Sequence, residues 1–121
     1  MEKTIIFVGN DESLINEVKG VLPIKNDFQF VKMKEEELRL NILSGNKKPY
    51  LVLIESEIND MSPLFLTEQI YKKNRLIRTV LFTSREEMKH YMGVLRKGAF
   101  LVIKDDDMRE VLQEYMDGLV N

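Results

Sequence analysis

The chain has 121 residues, 44% of them hydrophobic and 31% charged, with 18 basic and 20 acidic side chains and a net charge of −2. That is the size and balance of one globular domain, expected to span residues 1–121, with no basic excess to track a nucleic-acid backbone. The lack of cysteine excludes disulfides and thiolate chemistry, a single histidine argues against a His-based metal site or triad, and no apolar run is long enough to span a membrane.

Thr4 to Val8, TIIFV, reads as the first strand, ended by Gly9-Asn10-Asp11. Asp11 is placed to cap the helix that follows, whose stripe is Leu14, Ile15, Val18, Val21 and Leu22, with Pro23 beyond its end. In Asp27 to Met33, DFQFVKM, the residues Phe28, Phe30 and Lys32 alternate with Gln29, Val31 and Met33, the pattern of an edge strand. Lys34 to Leu43 is a charged helix with Leu38, Ile42 and Leu43 inward, stopped at Ser44-Gly45-Asn46.

The stretch Pro49 to Pro63, PYLVLIESEINDMSP, is the centre of the chain. Its apolar run from Tyr50 to Ile54 ends at a carboxylate, Glu55, as a strand buried on both faces would. Asn59, Asp60 and Ser62-Pro63 lead into a third helix with Leu66, Ile70 and Phe65 inward. Leu76 to Thr83, LIRTVLFT, holds the fourth strand, and Ser84-Arg85-Glu86-Glu87 has the spacing of a capping box. The fourth helix buries Met88, Tyr91, Met92 and Leu95 and ends at Gly98. Phe100 to Ile103, FLVI, is the last strand, closed by Lys104. Asp105, Asp106 and Asp107 start the last helix, where carboxylates suit the helix dipole, and its stripe is Met108, Val111, Leu112, Tyr115 and Leu119.

Strict alternation of strands and helices predicts an α/β fold, a doubly wound parallel sheet in three layers. Every strand's C-terminal end then lies on one edge, which gathers Asp11, Glu55, Thr83, Ser84 and Lys104. Such a polar crevice suits a hard cation such as Mg²⁺, or a phosphoryl group with the lysine and hydroxyl as donors.

In the segments IIFVGNDES, YLVLIESEINDM, VLFTS and GAFLVIK the chain resembles the receiver domain of two-component response regulators, over almost its whole length. The resemblance implies a flavodoxin-like, five-stranded sheet of order 2-1-3-4-5, with a phosphoacceptor and Mg²⁺ site where strands one and three meet. It places Glu55 at the phosphoacceptor position, Thr83 and Lys104 at the phosphate-contacting positions, and Asn10, Asp11 and Glu55 at the metal site. The switch aromatic maps to Phe100 or to Leu101.

The departures are as informative. The family's acidic pair is Asn10-Asp11 here, its phosphoacceptor aspartate is Glu55, and the proline after the lysine is Asp105. One extra methylene moves the carboxylate outward by about 1.5 Å, and a misplacement near 1 Å costs on the order of a hundredfold in rate. Glu55 is therefore expected to be a poor phosphoacceptor, with no Mg²⁺ or only weak Mg²⁺ binding. Either it imitates the phosphorylated state by reaching Lys104 or Thr83, or it is a tolerated polar residue in a docking module. A signalling domain rather than an enzyme is implied. The alternatives are a still-active receiver, with Mg²⁺ held by Asp11 and Glu55 or Ser84 accepting the phosphoryl group, and, more remotely, a small flavodoxin-like nucleotide-binding or enzymatic domain, which would need a glycine-rich loop where Gly9 stands alone. Its partners would be a histidine kinase, an output domain or another signalling protein, with a homodimer through the fourth helix, fifth strand and fifth helix as a further option. The chain is either a stand-alone protein or a domain of a longer one. With no signal-peptide pattern in the first 25 residues, a cytoplasmic location is expected.

Overall fold

Short runs of β-branched and aromatic residues, each closed by turn chemistry, pair side by side in the computed structural model, which describes residues 3–22, 28–44, 48–58 and 61–120. In chain order the elements are β1 (Lys3–Val8), α1 (Glu12–Val21), β2 (Phe28–Met33), α2 (Glu35–Ser44), β3 (Leu51–Glu55), α3 (Pro63–Lys73), β4 (Arg78–Thr83), α4 (Met88–Tyr91), a 3₁₀ helix (Met92–Lys97), β5 (Phe100–Ile103) and α5 (Met108–Val120). All strand pairs are parallel, in the order β2-β1-β3-β4-β5. The alternation called for a parallel, doubly wound sheet, and this order is the flavodoxin-like one that the resemblance implies, with β2 and β5 as edges.

Side chains alternate across the strands and so build two cores. One face of the sheet, with Ile5, Phe7, Leu53, Val80 and Phe82, packs against α1 and α5. The other, with Ile6, Val8, Val52, Ile54 and Leu81, packs against Leu38 of α2, Leu66 and Ile70 of α3, and Val94. All five residues of β3 are buried, as a central strand covered on both faces requires.

The helix starts follow local rules. Asp11 caps α1, its Oδ1 accepting the Leu14 N–H at 3.1 Å. Ser62 caps α3 by accepting from the Leu64 N–H at 3.2 Å, with Pro63 in the first turn. Ser84 Oγ accepts the Glu87 N–H at 3.1 Å, which is one half of the expected box. Gly98 closes the 3₁₀ segment at φ 73°, the left-handed conformation that favours glycine.

Several inward assignments need correction. After a single α-turn the fourth helix tightens to 3₁₀, with three residues per turn, so Val94 is fully buried while Met92 and Leu95 are 45% and 46% exposed. In α5 Met116 takes the core position and Val111 is left exposed beside the sheet edge. Phe65 lies on the outer side of α3. The stretch Leu76 to Thr83 does hold the fourth strand, with Leu76 in the turn before it. Pro23, Asp27, Gly45, Asn46, Asn59 and Asp60, and the side chains of Ile42 and Leu43, lie outside the described residues.

At the opposite edge of the sheet Tyr50 joins three elements. Its N–H donates to the Thr4 carbonyl at 2.8 Å and its hydroxyl to the Leu119 carbonyl of α5 at 3.2 Å. Its ring lies against Phe28 and beneath Lys3 and Arg78, 4.6 and 5.2 Å from the two cations.

Candidate functional site at the C-terminal edge of the sheet

β1 and β3 are neighbours, while the chain from β1 goes to β2 on the other side. The topological switch point therefore lies between their C-terminal ends, where Val8 faces Ile54 in register. Glu55 is the next residue of β3 and is buried, 5% exposed. Its side chain turns sideways onto the end of β1. Oε1 accepts the Asn10 N–H at 3.2 Å and Oε2 accepts the Asp11 N–H at 3.2 Å. These successive backbone donors meet the charge that burial would otherwise leave unsatisfied.

Gly9 makes room for this. A β-carbon built at residue 9 would lie 2.4 Å from both Cγ and Cδ of Glu55 and 2.7 Å from Oε2. The backbone there has φ +150°, which side-chain-bearing residues rarely adopt. Gly9 was not singled out from the sequence for this role. The signal was present: an over-long carboxylate at the end of β3 needs an empty position just past the end of the strand beside it.

Thr83, the last residue of β4, is wholly buried, and among the described residues nothing hydrogen-bonds to its Oγ1. The Lys104 N–H donates to the Thr83 carbonyl at 2.8 Å, which fixes the two strand ends together. The Lys104 side chain is half-buried and makes no ion pair among the described residues. Arg85 and Asp105 bridge the two loops above at 2.7 Å. The structure thus brings Asn10, Asp11 and Glu55 into one hydrogen-bonded group. Thr83 and Lys104 form a second group, and no hydrogen bond or ion pair joins it to Glu55. Phe100 is remote from this edge, at the start of β5, with its ring stacked 4.7 Å from Tyr115 of α5. Leu101 packs against the opposite core.

The donor set does not fit Mg²⁺. Both oxygens of Glu55 already accept backbone N–H groups, whose positive ends would face a cation, and one Asp11 oxygen caps α1. Among the described residues no group of three acidic, histidine or cysteine side chains could hold a metal. Near the edge, Tyr91 is held above its ordinary pKa by burial, with Glu87 and Glu57 adding to the shift. A hollow of about 250 Å³ opens on the β2 side, lined by Gly9, Asn10, Lys32, Lys34 and Glu37 among others.

No protein-family model matches the chain, and no curated protein sequence does. Solved structures do. The chain is similar over 100% of its length, and 96% of the other, to the phosphorylated cyanobacterial phytochrome response regulator RcpA, with a TM-score of 0.79 and 11% identity. A CheY-like receiver domain protein from Methanospirillum hungatei matches with a TM-score of 0.75 and 20% identity, over 99% of this chain and 95% of that one. The N-terminal receiver domain of a Bacteroides fragilis response regulator matches with a TM-score of 0.72 and 22% identity, over 100% and 98%. The fold is that of receiver domains.

Proposed function

We propose that this chain, which has the receiver-domain fold, is a signalling module that acts through protein contacts and does not depend on phosphoryl transfer to Glu55. The observation that carries this reading is the direction of the Glu55 carboxylate. Its two oxygens are held by the backbone of residues 10 and 11, and its stem lies over Gly9. In-line attack on phosphorus needs a free carboxylate oxygen and a positively charged clamp for the incoming group. Here the oxygens are occupied, the donor set opposes a divalent cation, and Lys104 stands apart.

The same geometry favours a docking module over a built-in imitation of the phosphorylated state. A carboxylate imitating a phosphate would engage Thr83 or Lys104, and Glu55 makes its hydrogen bonds to β1's end instead. In this reading the partners are a histidine kinase, an output domain or another signalling protein, met in the cytoplasm, with the face around α4, β5 and α5 as a route to a homodimer.

The test is intact mass after incubation with a small phosphodonor and Mg²⁺, on the wild type and on Glu55→Asp. The wild type is expected to stay unmodified. Stoichiometric gain of a phosphoryl group on wild-type Glu55, located by peptide mapping, would overturn the reading. If Glu55→Asp alone gains the group, the glutamate is what silences the site. If neither does, the surrounding donors silence it as well.

A further inference from the structure

Charge is distributed very unevenly along the chain. Residues 69–104 carry nine lysines and arginines against two glutamates, a net +7, while the other 85 residues carry nine against eighteen, a net −9. The fold collects part of the positive excess at one place. Lys73 is in the last turn of α3, beside Lys72, which pairs with Glu68 of the same helix at 3.3 Å, and Arg96 and Lys97 are in the last turn of the 3₁₀ helix. These two helices pack together, and both end where the strands begin. Arg75 and Lys97 flank the same ring, 5.3 and 5.7 Å from the centre of Tyr71, so these two cations are held in place. Leu76, 71% exposed, stands next to them at the tip of the turn. Compensation of two helix dipoles accounts for a cation in each last turn, but not for Arg75 or for the exposed leucine beside it.

The complementary surface is on the same chain. Asp107, Glu110, Glu114 and Asp117 recur at intervals of three, four and three residues, and all are exposed. On α5 that spacing makes one ridge, opposite the buried Met108, Leu112 and Met116. Arg109, the cation within α5, leans instead toward Gly20 of α1, where it approaches a β-carbon position at 3.0 Å. α5 covers one face of the sheet and α3 with the 3₁₀ helix covers the other. The two charged surfaces therefore cannot meet within one molecule, and between two molecules they can.

We infer that the basic end of α3 and the 3₁₀ helix docks the acidic α5 ridge of a second copy of the chain, head to tail. The contact is heterologous, since the two patches differ, so it extends from copy to copy rather than closing as a symmetric pair. It rests on charge complementarity and is therefore steered and weakened by salt. It is independent of the state of Glu55.

The test is sedimentation velocity over a concentration series, with circular dichroism confirming that each variant is folded. The wild type is expected to associate at about 0.01 M salt and to dissociate toward monomer at about 0.15 M, as the Debye length falls from about 30 Å to about 8 Å. Arg75→Glu/Lys97→Glu and Glu110→Lys/Glu114→Lys should each be monomeric alone. Mixed, they should associate again, alternating from copy to copy, because the native contact and the charge-swapped contact each pair opposite charges. All four substitutions in one chain should restore self-association. A wild type that stays monomeric at low salt overturns the inference. So does association that survives in either double variant, which would mark a different interface such as a symmetric one through β5. Binding of a Glu/Asp-rich peptide by the basic end, with no self-association, would assign the surface to a foreign acidic partner and also overturn it.

Discussion

Gly9 and Glu55 share one volume: the place a β-carbon would take on the first lies 2.4 Å from the carboxyl carbon of the second. The pair behaves as a lock, a residue with no side chain beside one with a methylene more than aspartate. Gly9→Ala should cost about 2 kcal/mol or more, from overpacking and from the unfavourable φ. Glu55→Ala in the same chain should recover about 1 kcal/mol of that loss, since neighbours that collide are non-additive. Urea denaturation of the two single variants and the double variant measures the coupling. Additive losses would mean that the two residues do not compete for space.

Glu55→Gln separates shape from hydrogen bonding. The amide keeps the volume but presents an NH₂ where one of two backbone N–H donors now finds an oxygen. One buried donor is left facing another, at a cost of about 1–3 kcal/mol. Glu55→Asp falls short of both donors and should also destabilise. Denaturation midpoints for both variants below the wild type are the expected result.

Thr83→Val should go the other way. The hydroxyl is fully buried without a partner among the described residues, so exchanging it for a methyl of similar shape removes an unmet polar group. The expected change is neutral to stabilising, by up to about 1 kcal/mol. A loss well beyond that, seen in thermal melts, would reveal a partner for Oγ1.

The 3₁₀ geometry after α4 can be checked by truncation. Val94 is fully buried and Leu95 is 46% exposed. Val94→Ala should cost about 2 kcal/mol, and Leu95→Ala less than about 1 kcal/mol although it removes more atoms. The reverse order would restore the α-helical register expected from the spacing.

Tyr115 gives a pH dependence. Burial, the largest cause, holds its pKa above the ordinary 10.0, opposed by Arg78 and assisted by Tyr50. A raised folded-state value means that the neutral phenol is favoured by folding. Its contribution is complete below the unfolded value, near pH 10, and is lost as pH rises through the higher folded value. The wild type should therefore lose melting temperature faster than Tyr115→Phe above about pH 10, with the two curves parallel at neutral pH.

What could be read from the chain was what neighbouring residues decide. Asp11, Ser62-Pro63 and Gly98 act within a few residues of themselves, and the helix boundaries fell where they stand. The alternation of strands and helices was enough for a parallel, doubly wound sheet, and the strand-end motifs, through the family they resemble, supplied its order. What could not be read depends on contacts distant in sequence. Whether Val111 or Met116 is covered depends on α5 lying at the edge strand β5, and Val94 replaced Leu95 because the turn tightened. At the site, the residue types at the strand ends were legible. The direction of Glu55 was not, because it is set by an empty position just past the end of another strand, 46 residues earlier.

Tyr50 has a practical consequence. The chain contains four tyrosines and no tryptophan, so its near-ultraviolet emission comes from phenols alone. The Tyr50 phenol is bonded to the Leu119 carbonyl in the last turn of α5 and is covered by Lys3 and Arg78. Detachment of that turn would free the hydroxyl and uncover the ring, and the light emitted would change. The molecule thus carries its own optical gauge of whether its final helix is seated, with no dye or added label.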